Sequence, residues 1–558
     1  MLQNNSTLKA LINSLWNTLW SGGIANPITA IEQITYLLFI KRIDDMEIKL
    51  EREAQIKGEI YESKRFKGTY TPYIDESNYI VIQMETGPAY HEDMIDARKR
   101  LAEDEKPRPK QELRWSYFRL IRPTDKMLEH VRYNVFPFIK TLNNDASPFT
   151  KHMANAVFII EKPTLLFEAI NKIEEIFVEI EKDAKEGGHS FQDIQGDVYE
   201  MLLGEIAQAG KNGQFRTPRH IIKLMAELVK PQLGNRIADP ACGTAGFLLG
   251  AYQYILTDLV RKKDKKILEI DEDGFERGTY SAVLNEKNKQ ILDNSFYGFD
   301  IDVTMVRLGL MNLIMHGIDN PQIDYKDTLS KSYNEAGQYD IVLANPPFTG
   351  KIDRGDVNTS LRIDTPASEL LFLDRISSML CERGKAAVII PEGVLFGSSN
   401  AHKQTREILL KDNQLEAVIS LPSGAFKPYT GVKTAILVFT KVEEKSNTWH
   451  TEKVWFYELQ SDGYSLDDNR RRLKNYPLPE AALAYDSRGK TNTEDRKSYF
   501  FVPIAEIQEN DLDLSFNRYK EYEYIEQTYD PPKDILAALM KLEKEILMDM
   551  EELNSLIG

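Results

Sequence analysis

The sequence predicts an α/β protein: a mostly parallel, doubly wound sheet set between an α-helical N-terminal domain and a C-terminal helical tail. Three observations predict it. From about residue 236 to 440, short apolar β-branched runs alternate with helical stretches, the pattern of strands joined by crossover helices. Residues 1–188 instead carry apolar residues at helical spacing. From Pro532 onward, Ile535, Leu539, Leu542, Ile546, Met550, Leu553 and Ile557 recur at spacings of three and four among Lys and Glu, a heptad-like stripe. A chain of 558 residues needs two or three domains. The bounds drawn are 1–188 for the helical domain, 189–475 for the α/β domain, 476–531 for a linker region and 532–558 for the C-terminal helix.

Composition excludes some function classes. The formal net charge of −16 does not suit a free-standing DNA binder, because duplex DNA is held largely by Lys and Arg on phosphates. A nucleic-acid substrate would need a local basic groove or a partner. Two cysteines, Cys242 and Cys381, stand far apart and outside any metal-ligand spacing, so no disulfide framework and no metal site is expected. A reducing cytosol is the expected compartment. The N-terminus lacks the basic and long apolar regions of a signal peptide. The longest apolar runs, such as Ala386 to Ile390, are too short to span a bilayer, so no membrane association is expected.

In the N-terminal domain, Leu8, Leu11, Ile12, Leu15 and Leu19 share one helical face. Gly22-Gly23 interrupts it. Asn26-Pro27 then supplies an N-cap and a proline at the first helical position. Ile31, Ile34 and Leu38 continue a second stripe. Residues 58–115 are polar with scattered Tyr and Pro and predict loops. A further helix is predicted over Pro163 to Ala184, with Leu166, Ile170, Ile173, Phe177 and Ile180 facing inward. These stripes are read as core packing.

A short helix over Asp197 to Ala207 precedes Gln214-Phe215-Arg216-Thr217-Pro218-Arg219. Thr217 is expected to cap a helix that starts at Pro218 and runs to about Val229. Next, Arg236-Ile237-Ala238-Asp239 reads as a strand, Pro240-Ala241-Cys242-Gly243-Thr244 as a loop of small residues, and Ala245-Gly246-Phe247-Leu248 as the start of a helix. Small residues let a ligand approach the backbone closely. The acid at the strand end and the lack of GxGxxG spacing disfavour a pyrophosphate there. Cys242 is expected to be a small buried side chain. Residues 261–294 are charged and weakly periodic, an insertion or long connection.

Ser295 to Asp300 forms a second strand ending in an acid, and a helix follows from Val303 to about His316. Asp300 is either that helix's N-cap or a carboxylate accepting ribose hydroxyls, as in nucleoside-binding α/β folds. Ile323 to Thr328 gives a third strand with Asp327 near its end. Tyr339 to Ala344 is a buried strand that Asn345-Pro346-Pro347-Phe348 stops, since two prolines cannot extend a ladder. An Asn and an aromatic are thereby held at the carboxyl end of a strand, the edge where open α/β sheets bind ligands. A helix is expected over 367–381, a turn at Gly384-Lys385, then strands over Ala386 to Ile390, Leu415 to Leu421 and, as the last, Lys433 to Thr440. The arginines of Asn469-Arg470-Arg471-Arg472 are read as a solvated face, with a DNA-backbone contact as the alternative that charge alone disfavours.

Taken in order, Gln214-Phe215-Arg216-Thr217-Pro218, the Asp-Pro-Ala-Cys-Gly-Thr loop at 239–244, Asp300 and Asn345-Pro346-Pro347-Phe348 resemble the modification (M) subunits of type I restriction-modification systems, which are adenine-N6 DNA methyltransferases. The resemblance covers almost the full chain. Two positions depart from the commonest pattern: Arg216 replaces a frequent aromatic and Ala245 a frequent glycine. The resemblance implies a Rossmann-like S-adenosylmethionine-dependent fold. It places Gln214, Phe215, Arg216, Thr217, Pro218, Arg219, Asp239, Gly243, Thr244, Ala245, Gly246, Asp300 and Asp327 around S-adenosylmethionine. It gives Asn345, Pro346, Pro347 and Phe348 the catalytic role, on an adenine flipped out of double-stranded DNA. It further implies a specificity (S) subunit that reads the DNA sequence, two M subunits to one S, restriction (R) subunits in the full complex, and a C-terminal helix that packs on the S subunit.

The chemistry of the residues agrees. Adenine N6 is a weak nucleophile because its lone pair is delocalised into the ring. The Asn345 side-chain oxygen and the Pro346 carbonyl could both accept from its N–H groups and favour a tetrahedral nitrogen. Phe348 could stack on the base, which must first leave the duplex. Two other readings fit part of the pattern: a methyltransferase acting on a glutamine side-chain amide, and a non-catalytic assembly scaffold.

Overall fold

In a computed structural model the described residues are 5–72, 105–142, 147–187, 217–278, 283–442, 449–490, 496–521 and 531–557. A nine-stranded sheet organises the α/β domain. Its strands are β1 (Ile237–Asp239), β2 (Phe296–Asp300), β3 (Gln322–Tyr325), β4 (Tyr339–Ala344), β5 (Leu380–Pro391), β6 (Asn413–Ser420), β7 (Thr434–Lys441), β8 (Lys453–Glu458) and β9 (Tyr499–Pro503). They lie side by side in the order β9-β8-β6-β7-β5-β4-β1-β2-β3. Neighbours from β3 through β5 pair in parallel, as do β6 and β8, whereas β7 and β9 run antiparallel to the strands beside them. The strand order therefore turns back at β1, which has β2 on one side and β4 on the other. In open α/β sheets ligands bind in the crevice at such a switch point, here beyond the carboxyl ends of β1 and β4.

Alternation of side chains builds two apolar layers. On β4, Ile341 and Leu343 enter the core on one face, and Val342 and Ala344 the core on the other. Helices α4 (Arg219–Val229), α5 (Gly246–Lys263), α6 (Val303–Met315) and α9 (Pro477–Ser487) cover the first face. Helices α7 (Ser368–Met379) and α8 (Asn400–Lys411) cover the second.

The N-terminal domain contains α1 (Ser6–Ser21), α2 (Pro27–Lys57) and α3 (Pro163–Gly187). Asn26 caps α2 as its position before Pro27 predicts, accepting from the amides of Ile28 and Thr29. The domain docks onto α6. There the buried Arg307 donates to Glu32 of α2 at 2.5 Å and to the His152 carbonyl at 3.0 Å. Lys151 and His152 both reach Asp324 at the edge of the sheet, at 2.9 and 2.7 Å.

Four expectations change. Lys433 to Thr440 is not the last strand: β8 and β9 extend the sheet, because Val454, Phe456, Phe500 and Val502 supply a further apolar layer. Residues 476–531, expected as a linker, accordingly carry α9 and the edge strand β9. Gly384-Lys385 is no turn but lies inside β5, whose pairing with β4 shifts register between Tyr339 and Ile341. The charged stretch after 261 holds the end of α5, a two-stranded ribbon pairing Glu269–Ile270 with Glu276–Arg277, and a helix over Glu286–Leu292. The helix expected over Asp197 to Ala207, Gln214-Phe215-Arg216 and residues 73–104 lie outside the described residues.

The final helix, α10 (Pro532–Ile557), leaves its heptad stripe uncovered: Leu539, Leu542, Ile546 and Met550 are all more than half exposed. Among the described residues no helix is long and apolar enough to cross a membrane.

Candidate active site

Three strand ends and one helix start meet at the crevice. Asp239 closes β1 and is 1% exposed. One of its oxygens accepts from the Ala241 amide at 3.0 Å, while Oδ2 is buried and has no hydrogen-bond partner. Burial pushes this carboxyl up to about 8, against the Ala241 amide, which lowers it, and with added repulsion from Asp300.

The loop from Pro240 to Ala245 is tied down from three directions. Asp300, at the end of β2, accepts from the Gly243 amide at 2.9 Å. Buried Asn312 of α6 donates to the Thr244 carbonyl at 2.8 Å, and Thr328 donates to the Pro240 carbonyl at 3.2 Å. Gly309 of α6 backs the loop so closely that a Cβ there would lie 3.1 Å from the Gly243 carbonyl oxygen. Ala245 takes a φ of 63°, in the left-handed region. That conformation costs an alanine about 1–2 kcal/mol and suits glycine, which accounts physically for the glycine frequent here in the pattern the chain resembles. A Cβ on Gly243 would meet nothing within 4 Å, so the loop's outer face is open.

Asp300 does not cap α6. Asp302 does, accepting from Thr304 and Met305, while Asp300 accepts from the Asp302 and Gly243 amides. A carboxylate has about four acceptor positions, more than these amides fill. Burial raises the Asp300 pKa, opposed by those two amides. Asp327 lies two residues beyond β3, where one oxygen accepts from the Leu329 amide at 2.9 Å. Cys242 is buried, and its Sγ would lie 2.9 Å from a Cβ on Gly298. Burial pushes its thiol well up, so it is a packing residue.

Asn345 follows β4 directly. Its Nδ2 donates to the Thr217 hydroxyl at 2.9 Å, and its Oδ1 is buried without a hydrogen-bond partner. Thr217 is therefore not the cap expected: α4 starts at Arg219, Pro218 occupies the capping position without a side-chain bond, and the Thr217 hydroxyl faces Asn345 at the end of β4 instead. Pro346 is buried and Pro347 exposed. Phe348 is 6% exposed, with its ring edge-on to Phe426 at 5.7 Å between centroids. Phe348 is thus a held wall that presents little free surface. The sequence reading missed Asn312, Gly309 and Phe426. A polar Asn within the apolar run Met311-Asn312-Leu313 was the available signal for the first. The other two act through space and leave none.

The cradle fits a nucleoside cofactor with a cationic end and rejects a phosphate. Asp239, Asp300 and Asp327 gather carboxyl groups at the strand ends, and the orphaned buried oxygen of Asp239 asks for a cationic or N–H partner. Fold and site together define a Rossmann-like methyltransferase.

Comparison with known proteins narrows this class. The HsdM N-terminal domain family matches residues 8–173 and the N-6 DNA Methylase family residues 190–528. The methylase subunit of the type I restriction enzyme EcoEI of Escherichia coli is 30% identical over 454 residues, 78% of this chain and 83% of that protein. That of EcoKI from Escherichia coli K12 is 29% identical over 59% of this chain and 62% of its own. A solved chain from work on complex assembly and conformational transition of the type I R-M system is 25% identical, with a TM-score of 0.60 and 99% of each chain covered. The type I methyltransferase subunit from Streptococcus thermophilus, at 19% identity and a TM-score of 0.59, shares the fold over 92% of this chain and 100% of its own. The chain belongs to the N-6 DNA methylases, as a methylase (modification) subunit of the type I restriction enzyme family, and is an adenine-specific DNA methyltransferase.

Proposed function

We propose that the methyl donor is S-adenosylmethionine, held over the Gly243–Gly246 loop, and that Asn345 grips the amino group of a flipped adenine. The observation that carries this reading is the buried, unpartnered Oδ1 of Asn345 beside the prolines that fix the strand end. Asp300 would take the ribose hydroxyls, Asp327 would lie near the adenine moiety of the cofactor, and the orphaned Asp239 Oδ2 would meet its cationic end. Bound there, the cofactor supplies an electrophilic methyl group.

The chain's residues then act on the target base. Asn345 Oδ1 and the Pro346 carbonyl accept the two N6 hydrogens and draw the nitrogen toward tetrahedral geometry, which frees its lone pair. Both acceptors are in place before reaction, so little reorganisation is needed as charge develops. Phe348, pinned by Phe426, walls the pocket. With the cofactor bound, the freed N6 lone pair would take its methyl group, the S–C bond giving way to the new N–C bond, and N6 would release a proton to water. In-line placement of the two reactants contributes roughly 7–11 kcal/mol in favourable model systems.

The net charge of −16 and the bare heptad face of α10 support partners that supply DNA sequence reading: a specificity subunit, two modification subunits to each, with restriction subunits in the full complex. The test is transfer of labelled methyl from S-adenosylmethionine to double-stranded DNA, with and without the co-encoded specificity subunit. N6-methyladenine is expected in DNA. Label found only in protein would overturn the reading. Asn345→Ala is expected to abolish transfer while cofactor binding survives.

A further inference from the structure

We propose that Thr217 is a positioning residue that holds the Asn345 amide by its Nδ2 end, leaving Oδ1 to face the target base. The proposal rests on the reading that Asn345 grips the adenine amino group. An asparagine side chain carries an acceptor at one end and two donors at the other. Turned over, it would aim N–H groups at an amino group, donor against donor, and would lose the acceptor that frees the N6 lone pair. The Thr217 hydroxyl takes the Nδ2 hydrogen at 2.9 Å, and Oδ1 is left as the free, buried acceptor.

Thr217 can do this only if its own place is fixed, and α4 fixes it. Five residues on, Ile222 of α4 packs against Gly246 and Gly250 of α5 so tightly that a Cβ on Gly250 would lie 2.3 Å from its Cγ2. Lys223 donates to Asp271 and Asp273, each at 2.6 Å. The His220 ring meets buried Asp462 at 3.0 Å and stacks on Tyr464 with centroids 4.4 Å apart. Helix α5 begins at the cofactor loop. The Asn345 amide is therefore oriented from the same packed helix pair that carries that loop, so cofactor cradle and base grip share one frame.

The experiment compares Thr217→Val, Thr217→Ser and Asn345→Ala in the full chain with its specificity subunit. Valine keeps the shape and removes the hydroxyl; serine keeps the hydroxyl. Measured are kcat at saturating DNA and cofactor, the cofactor Kd by calorimetry, and the thermal unfolding midpoint. Thr217→Val is expected to lose about 10-fold or more in kcat at saturating cofactor, the scale of one lost hydrogen bond, with the unfolding midpoint unchanged and any change in cofactor Kd smaller than that in kcat. Thr217→Ser is expected to restore most of the rate. Wild-type kcat in Thr217→Val overturns the proposal, as does a loss that serine shares, or one that follows cofactor affinity or stability. If Asn345→Ala keeps full activity, the reading of the base grip itself fails; if Asn345→Ala is dead and Thr217→Val is unaffected, only the role of Thr217 fails.

Discussion

Asp300, at the end of β2, accepts the Gly243 amide at 2.9 Å and so ties two neighbouring strand ends into one cradle. A single carboxylate thus shapes the loop, and the proposed cofactor reading gives it ribose hydroxyls as well. Asp300→Ala is expected to weaken S-adenosylmethionine binding at least about 10-fold, since it removes a charge-assisted bond within the loop as well as ligand contacts. Asp300→Asn should fall between. Calorimetric titration checks this; an unchanged Kd in Asp300→Ala would remove the carboxylate from the cofactor site.

The carboxyl of Asp239 predicts a pH dependence. Its ordinary value is 3.8, and burial raises it to about 8 in the folded chain. The folded form therefore keeps a proton that the unfolded chain releases. This contribution to stability is fully present below 3.8 and is lost as pH rises through about 8. Asp239→Asn should flatten that loss, so the cofactor-free variant gains on the native protein in unfolding midpoint between about pH 5 and 8. The same orphaned oxygen, if it pairs with the cofactor's ammonium, makes native binding tighter toward alkaline pH. Asparagine should abolish that trend.

Arg307 joins the two domains from within α6. With it gone, Glu32 and the His152 carbonyl lose a buried partner. Arg307→Ala is expected to destabilise by about 3–5 kcal/mol, the range for breaking a buried ion pair from one side. Denaturant unfolding measures this; a change within about 0.5 kcal/mol, usual for surface sites, would contradict it.

Helix α10 exposes an apolar stripe that nothing among the described residues covers. Deleting 532–558 should leave the unfolding midpoint of the isolated chain unchanged and weaken association with the specificity subunit. Size-exclusion chromatography of the mixture decides; an undiminished complex would place the interface elsewhere.

Much of the site is legible from residues that are local in sequence. Asp239, Asp300 and Asn345 each sit where an apolar run stops, and strand ends of a parallel sheet converge on one edge. The Ala245 departure is equally local, because a positive φ is a property of one residue. Thr217 shows where such reading fails. Ahead of Pro218 a threonine is a good cap, and local propensity says so. Only the packing of α4 against α5 turns its hydroxyl to a residue 128 positions away. Strands β8 and β9 were missed for a related reason: an edge strand's apolar residues have meaning only beside the strand they pair with.

The sequence by itself determined the α/β class, the helical domain before it, the heptad helix after it and the acids and asparagine that end the strands. These follow from hydrophobic period and from the backbone limits of proline and glycine, which act over a few residues. The tertiary structure decided the strand order, and with it the switch point that sets Asp239 beside Asn345. It also decided which carboxylate holds the loop and which hydroxyl holds the Asn345 amide. Those choices depend on hydrogen bonds and close contacts between segments distant in the chain, which exist only once both faces of the sheet are packed.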